Sequence, residues 1–247
     1  MNKYKLFFLI IGFSGLICTS FRVTEASLLL SDDFEEGNSW NTVVFSVNGG
    51  TGASPILATG GNPGAYRQMQ ISLPNAPGGQ RSVAAVINFL DGFFHDPSVS
   101  GPVTGFDFSL DLRRDVSASG AVGTGLAVRQ AGEIYLANIT YFHTANWVTL
   151  SETFGPEDFL RLDATNLLTG EELGSFPDLS VTGAPFEVGF YTRNSTSISG
   201  AGYNRTYGID NWDLAIIPEP SAHALMAGLV TLGLAVYSRR FFLNGKS

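Results

Sequence analysis

The chain has 247 residues, 44% of them hydrophobic, with 29 Gly and 11 Pro: enough apolar material for one ordinary domain, and too much turn chemistry for long helices. Between Ser27 and Pro220 there is no lysine, and eight arginines face 21 acidic residues, a balance of −13. Such a surface repels phosphate backbones and points away from nucleic acid, leaving general solubility or divalent cations as the uses of the acid.

In chain order, the first element is a secretory signal: Lys3 and Lys5 form a positive start and Leu6 to Ile17 an apolar run. Small residues place cleavage after Ala26, with Thr24 at the minus-three position, so residues 1–26 are the predicted signal peptide. A retained anchor is the alternative, but the run is shorter than the ~20 residues a spanning helix needs. Cys18 is the only cysteine, and the bulky Ile17 before it argues against lipid attachment. The mature body then holds no thiol and takes its stability from its core.

The body, residues 27–216, reads as all-β. In Phe106-Asp107-Phe108-Ser109-Leu110-Asp111-Leu112 apolar residues take every second place, which predicts a strand with one buried and one wet face. Similar runs cover Thr42 to Val47, Ser82 to Phe89, Gly125 to Arg129, Glu133 to Tyr141, Trp147 to Phe154, Phe186 to Thr192 and Tyr207 to Ile216. Gly-, Pro- and Asn-rich punctuation such as Gly60-Gly61-Asn62-Pro63-Gly64 separates them. Without crossover helices these strands pair antiparallel, and a chain of this size closes as a β-sandwich or jelly roll. The opening Leu29-Leu30-Ser31-Asp32-Asp33-Phe34-Glu35 and the closing Gly208-Ile209-Asp210-Asn211-Trp212-Asp213-Leu214 resemble the ends of concanavalin-like and related carbohydrate-binding sandwiches. That resemblance implies that the first and last strands lie side by side.

The last segment, residues 217–247, has three parts. Ile217-Pro218-Glu219-Pro220-Ser221 comes first, then an apolar run from Ala222 to Tyr237, then the basic pair Arg239 and Arg240. This order resembles the PEP-CTERM sorting signal, also called the ice-binding protein C-terminal domain. The resemblance implies an exosortase-like transpeptidase as partner, and delivery to the cell envelope or extracellular matrix after a transient stay in the inner membrane. Physical reasoning agrees: sixteen residues span ~24 Å as a helix, marginal for a ~30 Å hydrocarbon layer. Arg239 and Arg240 would remain cytoplasmic and leave Pro218, Glu219 and Pro220 outside. The two prolines keep that motif extended. A plain membrane anchor is the alternative.

No catalytic signature accompanies this architecture. A glycan hydrolase, the rival reading, needs two carboxylates ~5–10 Å apart, and the Glu-x-Asp-x-x-Glu spacing of some concanavalin-like glycosidases does not occur. Asp107 and Asp111 share the wet face of one strand with Ser109, as an ordinary acidic strip would. His95 and His143 are isolated, and nucleophile-elbow, Walker, dinucleotide and zinc patterns are missing from the body. A non-enzymatic structural or glycan-binding module is therefore expected. Trp40, Tyr141, Tyr203 and Tyr207 are the candidate sugar-stacking residues, the last two because Asn194 to Gly208 is polar and Gly-rich. Trp147 reads as core and Trp212 as half-buried. Asp32, Asp33 and Asp210 are candidate calcium ligands where the terminal strands meet, with turn capping as the alternative.

Overall fold

The computed structural model describes residues 27–35, 39–114, 122–141, 145–165 and 175–219, without the side chain of Tyr141. The signal peptide, the apolar run, Arg239, Arg240 and His143 lie outside the described residues. Residues Ser27–Pro218 form one compact unit. Among the described residues no helix is long and apolar enough to cross a membrane.

The chain folds into two antiparallel sheets. The first contains β1 (Leu28–Asp32), β3 (Thr51–Ala53), β4 (Ile56–Gly61), β5 (Gly64–Leu73), β7 (Val103–Arg114), β10 (Val148–Phe154) and β13 (Tyr203–Pro218). Its order is β10-β7-β13-β5-β3, with β1 also on β13 and β4 also on β5. The second contains β2 (Trp40–Val47), β6 (Val83–Leu90), β8 (Val122–Gln130), β9 (Glu133–Tyr141), β11 (Phe159–Arg161) and β12 (Phe186–Ser195), in the order β11-β9-β8-β12-β6-β2. One helical turn, Pro97–Ser100, caps the loop between β6 and β7. The terminal strands do pair, from Leu28 opposite Ile216 to Asp32 opposite Trp212.

Period two sets the layers. On β7 Phe106, Phe108, Leu110 and Leu112 point between the sheets, while Asp107, Ser109, Asp111 and Arg113 point outward. On β13 the inward set changes from Tyr207 and Ile209 to Trp212, Leu214 and Ile216, because a bulge between Asp210 and Asp213 inserts one residue. Asn211 carries that bulge at φ 45°, a left-handed conformation that Asn tolerates better than most residues. The centre of the core is aromatic: Trp40 lies 4.9 Å from Phe190 and 5.1 Å from Trp212, both at steep interplanar angles. Trp212 is thus wholly buried instead of half-buried.

β6 is buried on both faces and reads Val-Ala-Ala-Val-Ile-Asn-Phe-Leu without alternation. Ala84 and Val86 join the inter-sheet core, whereas Val83, Ala85, Ile87 and Phe89 join a second cluster with Leu136, Leu162 and Tyr191. Strands β3, β4, β5 and β11 were not expected from the sequence. β5 alternates cleanly only from Gln68 onward, because its preceding inward position holds Arg67. That guanidinium is 5% exposed and donates from Nη1 to Ser54 O at 2.9 Å and Asn88 Oδ1 at 3.2 Å. Burial pulls its pKa down to about 10, opposed by the charge of Asp32.

Candidate functional site

The outer face of the first sheet gathers the polar chemistry of the body. Register aligns Gln68 on β5 with Gly208 on β13 and Arg113 on β7, and Trp147 lies just ahead of the Val148–Leu112 pair. Gly208 is needed here: a Cβ at this position would lie 2.7 Å from Trp147 Cη2 and 3.1 Å from Tyr66 Cδ2. The bare backbone lets the two rings meet over β13, centroids 5.7 Å apart at 80°. Arg113 lies 4.6 Å from the Trp147 centroid and 5.0 Å from that of Tyr66, and its Nη1 donates to Gly60 O at 2.8 Å. Trp147 and Arg113 remain half-exposed while Tyr66 is buried beneath them. Gly208→Ala is expected to shift the tryptophan emission of the folded protein, weaken any ligand that uses this plateau and lower the unfolding midpoint, since the added Cβ pushes the Trp147 ring off its contacts with Tyr66 and Arg113.

Beside the plateau lies a knot of carboxylates and amides. Asp111 Oδ2 accepts from Asn62 Nδ2 at 3.0 Å and Asn211 Nδ2 at 2.8 Å, and its Oδ1 accepts from Thr149 Oγ1 at 2.5 Å. Asp210 Oδ1 accepts from the Asn211 amide at 2.8 Å, and its Oδ2 from the Asn62 amide. Asn211 Nδ2 also donates to Asn62 O at 2.7 Å. These bonds clamp the β4–β5 turn, with its cis Asn62-Pro63 peptide, onto the β13 bulge. Burial raises the pKa of Asp210, the two backbone donors lower it, and Asp111 and Asp33 add further upward push. A folded pKa above the unfolded one means that protonation favours the folded state. The contribution of Asp210 is therefore fully present below the ordinary carboxylate range and is lost as pH rises through its folded value. Urea midpoints measured across this range should fall with rising pH more in the wild type than in Asp210→Asn.

Two shallow grooves flank the plateau. One, of ≈ 540 Å³, runs over β1, β13, β7 and β10 and is lined by Ser31, Asp107, Ser109, Ser151, Thr153 and Asp213. Thr153 Oγ1 donates to Asp107 at 2.7 Å, and burial together with Asp111 raises the Asp213 pKa. The other, of ≈ 450 Å³, is lined on β3, β5 and β13 by Thr51, Gln70, Ser72, Asn204, Arg205 and Thr206. From Thr206 to Ala215 the outer face follows β13 for about 30 Å at ~3.3 Å per residue. With five H-bond acceptor positions filled by the knot, Asp111 and Asp210 orient neighbouring amides; the arrangement offers hydrogen bonds and a stacking surface.

The expected sugar-stacking residues lie elsewhere. Tyr207 is 1% exposed, and its hydroxyl donates to Asn194 Oδ1 at 2.5 Å. Tyr203 packs against the core and donates to Ser195 O at 2.7 Å, with Arg205 over its ring. Both belong to β13, which begins at Tyr203, four residues before the strand-like run from Tyr207 that the sequence shows, and neither is exposed as its polar, Gly-rich segment implied. Trp40 also packs inward, its Nε1 donating to Asp32 Oδ2 at 2.6 Å. For Tyr141 only the backbone, opposite Val122, is described. Trp147, expected in the core, is the tryptophan on the outer face. Tyr66, Arg113, Asn62 and Asn211 were missed.

The candidate calcium ligands do not form a set. Asp32 is 6% exposed and accepts from the Phe34 amide at 2.7 Å besides Trp40. Asp33 caps the turn through the Glu35 amide at 3.1 Å, and both oxygens of Asp210 are taken by backbone amides. Turn capping, the alternative, describes them better. Among the described residues no group of three or more His, Cys, Asp or Glu could hold a metal ion. His95 packs 5.0 Å from the Phe186 ring centroid, with Nε2 3.2 Å from Gly101 O.

No family model matches the chain, and no curated protein is similar to it. Several solved structures are. The family 11 carbohydrate-binding module from Clostridium thermocellum, in complex with a β-1,3-1,4-mixed-linked tetrasaccharide, is 16% identical, with 78% of this chain and 98% of that chain covered and a TM-score of 0.46. The family 11 module of the cellulosomal cellulase Lic26A-Cel5E of the same organism is 15% identical, covering 80% and 98%, with a TM-score of 0.45. The CBM22-1 xylan-binding domain of Paenibacillus barcinonensis Xyn10C is 12% identical, covering 79% and 98%, with a TM-score of 0.39.

Proposed function

We propose that this protein is a non-catalytic glycan-binding module that is exported and sorted to the cell envelope. The observation that carries the binding reading is the Trp147–Tyr66–Arg113 plateau, whose half-exposed Trp147 and Arg113 lie between two shallow grooves on one sheet face. Sugar rings present apolar faces ringed by hydroxyls. A half-exposed aromatic flanked by amides, hydroxyls and carboxylates is complementary to both, as small-ligand sites generally combine apolar walls with a few placed polar groups. The charges on this face, Asp107, Asp111, Glu152, Asp210 and Asp213 against Arg113 and Arg205, are net acidic and favour uncharged glycans over uronate-rich or sulfated ones. The test is retardation of the protein in native gels cast with soluble neutral polysaccharides. Retardation by at least one of them supports the reading, and equal mobility in all, with binding only to anionic polymers, would overturn it.

The sorting reading rests on the ordered tail: Pro218-Glu219-Pro220, the apolar run Ala222 to Tyr237, then Arg239 and Arg240. Intact mass of the protein recovered from its host should show loss of residues 1–26 and of everything after the Pro-Glu-Pro region. A host product that keeps the whole tail would leave a surface domain with a simple membrane anchor.

A further inference from the structure

Arg113 and Arg114 end β7 on opposite sides of the sheet. Arg113 points out beneath Trp147, whereas Arg114 is in phase with the inward Leu110 and Leu112 and lies opposite Tyr207 on β13. Arg114 is 4% exposed, yet its Nε and Nη2 have no hydrogen-bond partner among the described residues. Buried polar groups are nearly always paired, and a buried cation has the most to lose when it is not. Two other arginines show the ordinary solution. Arg129 is held by Glu187, and Arg67, as deeply buried as Arg114, donates from Nη1 to Ser54 O and Asn88 Oδ1 beside Asp32. The surroundings of Arg114 offer no such relief. Burial and the like charge of Arg205, whose guanidinium lies 4.1 Å from the Tyr203 ring centroid, push its pKa down. Among the described residues only Tyr207 and Tyr203 oppose them, and these donate their hydroxyl protons to Asn194 Oδ1 and Ser195 O.

We propose that the Nε–Nη2 edge of Arg114 is a binding site for a small carboxylate, held between the two sheets at the end where β7 stops and β13 begins. Nε and Nη2 form one side of the planar guanidinium, and their two N–H groups run parallel at the spacing of the two oxygens of a carboxylate. A bidentate anion would pair both donors at once and offset the like charge of Arg205. So enclosed an edge admits a compact, planar anion and not a polymer, which makes the ligand a small organic acid. The site stands apart from the proposed glycan face. It takes an anion where that face is net acidic, and it lies on the other side of β7 and β13 from the Trp147 plateau.

The test is a titration of the nitrogen-15-labelled full chain with sodium acetate, with sodium chloride keeping the ionic strength fixed. The Arg114 Nε–H resonance, assigned through its bonded carbons, should move saturably with acetate and stay in place in chloride alone. In thermal melts, acetate at about 100 mM should raise the wild-type Tm by about 2 °C or more over the same concentration of chloride, as a site half-filled near about 30 mM would. Arg114→Lys, which keeps the charge and loses the edge, should show no such gain. A resonance that does not move with acetate would overturn the proposal and leave the edge to water. An equal response to chloride, or a larger one to inorganic phosphate, would overturn the carboxylate assignment. An Nε–H signal that is already shifted in acetate-free buffer and returns to its ordinary position in Asp115→Asn would overturn it as well, giving the edge to a carboxylate of the chain itself.

Discussion

Trp147→Ala is expected to lower affinity for any neutral glycan retained by the wild type by at least tenfold, while the protein stays folded at 25 °C. Tenfold corresponds to about 1.4 kcal/mol, and truncating an aromatic anchor at the centre of a binding surface commonly costs about 2 kcal/mol or more. The folding cost is of similar size and leaves the domain folded, because Trp147 lies on the outer face and its partners there are one ring and one guanidinium. Such contacts are worth about 1 kcal/mol each. For a domain of this size that lowers Tm by about 4–8 °C. Titration calorimetry with the retained polysaccharide, beside a thermal melt, separates the two effects. Arg113→Ala should weaken binding in the same direction, since it removes the cation that holds the two rings together. Unchanged affinity in Trp147→Ala would move the ligand away from this face.

Much of the fold follows from period two, and its failures have local causes. β7 is legible because an outward polar residue follows each inward apolar one from Phe106 to Leu112. β5 was hidden by a single residue, the inward Arg67, whose charge is tolerated because Ser54, Asn88 and Asp32 surround it. The site was harder to read. The same alternation that turns Val148, Leu150 and Phe154 toward the core puts Trp147 outward by phase, so its exposure was available from the spacing. Tyr207 gave the opposite signal: its polar, Gly-rich neighbours imply exposure, yet Gly208 is small because two aromatic rings lie over it. The Asp210-Asn211 bulge could not be read at all. It reverses the inward phase of β13 halfway along, and it depends on the Asn62 turn, which is 148 positions away from Asp210 in the chain.

The two core tryptophans should answer the same substitution differently. Trp40→Phe removes the 2.6 Å hydrogen bond from Nε1 to Asp32 Oδ2 and leaves a 6% exposed carboxylate short of a donor. Hydrogen bonds to charged groups are worth about 1.5–3 kcal/mol, so a loss of about 2–3 kcal/mol is expected. In Trp212 the indole N–H is buried and finds no acceptor among the described residues, so Trp212→Phe gives up no hydrogen bond. It removes an unsatisfied donor that itself costs about 1–3 kcal/mol, which offsets much of the volume lost. Trp212→Ala, by contrast, opens a cavity among Trp40, Phe190 and Leu214 and should cost about 3–5 kcal/mol. Urea unfolding of the three variants gives the order Trp212→Ala, then Trp40→Phe, then Trp212→Phe. If Trp212→Phe proves as costly as Trp40→Phe, the Trp212 N–H has a partner after all, and the polar accounting of this core changes from one satisfied indole to two.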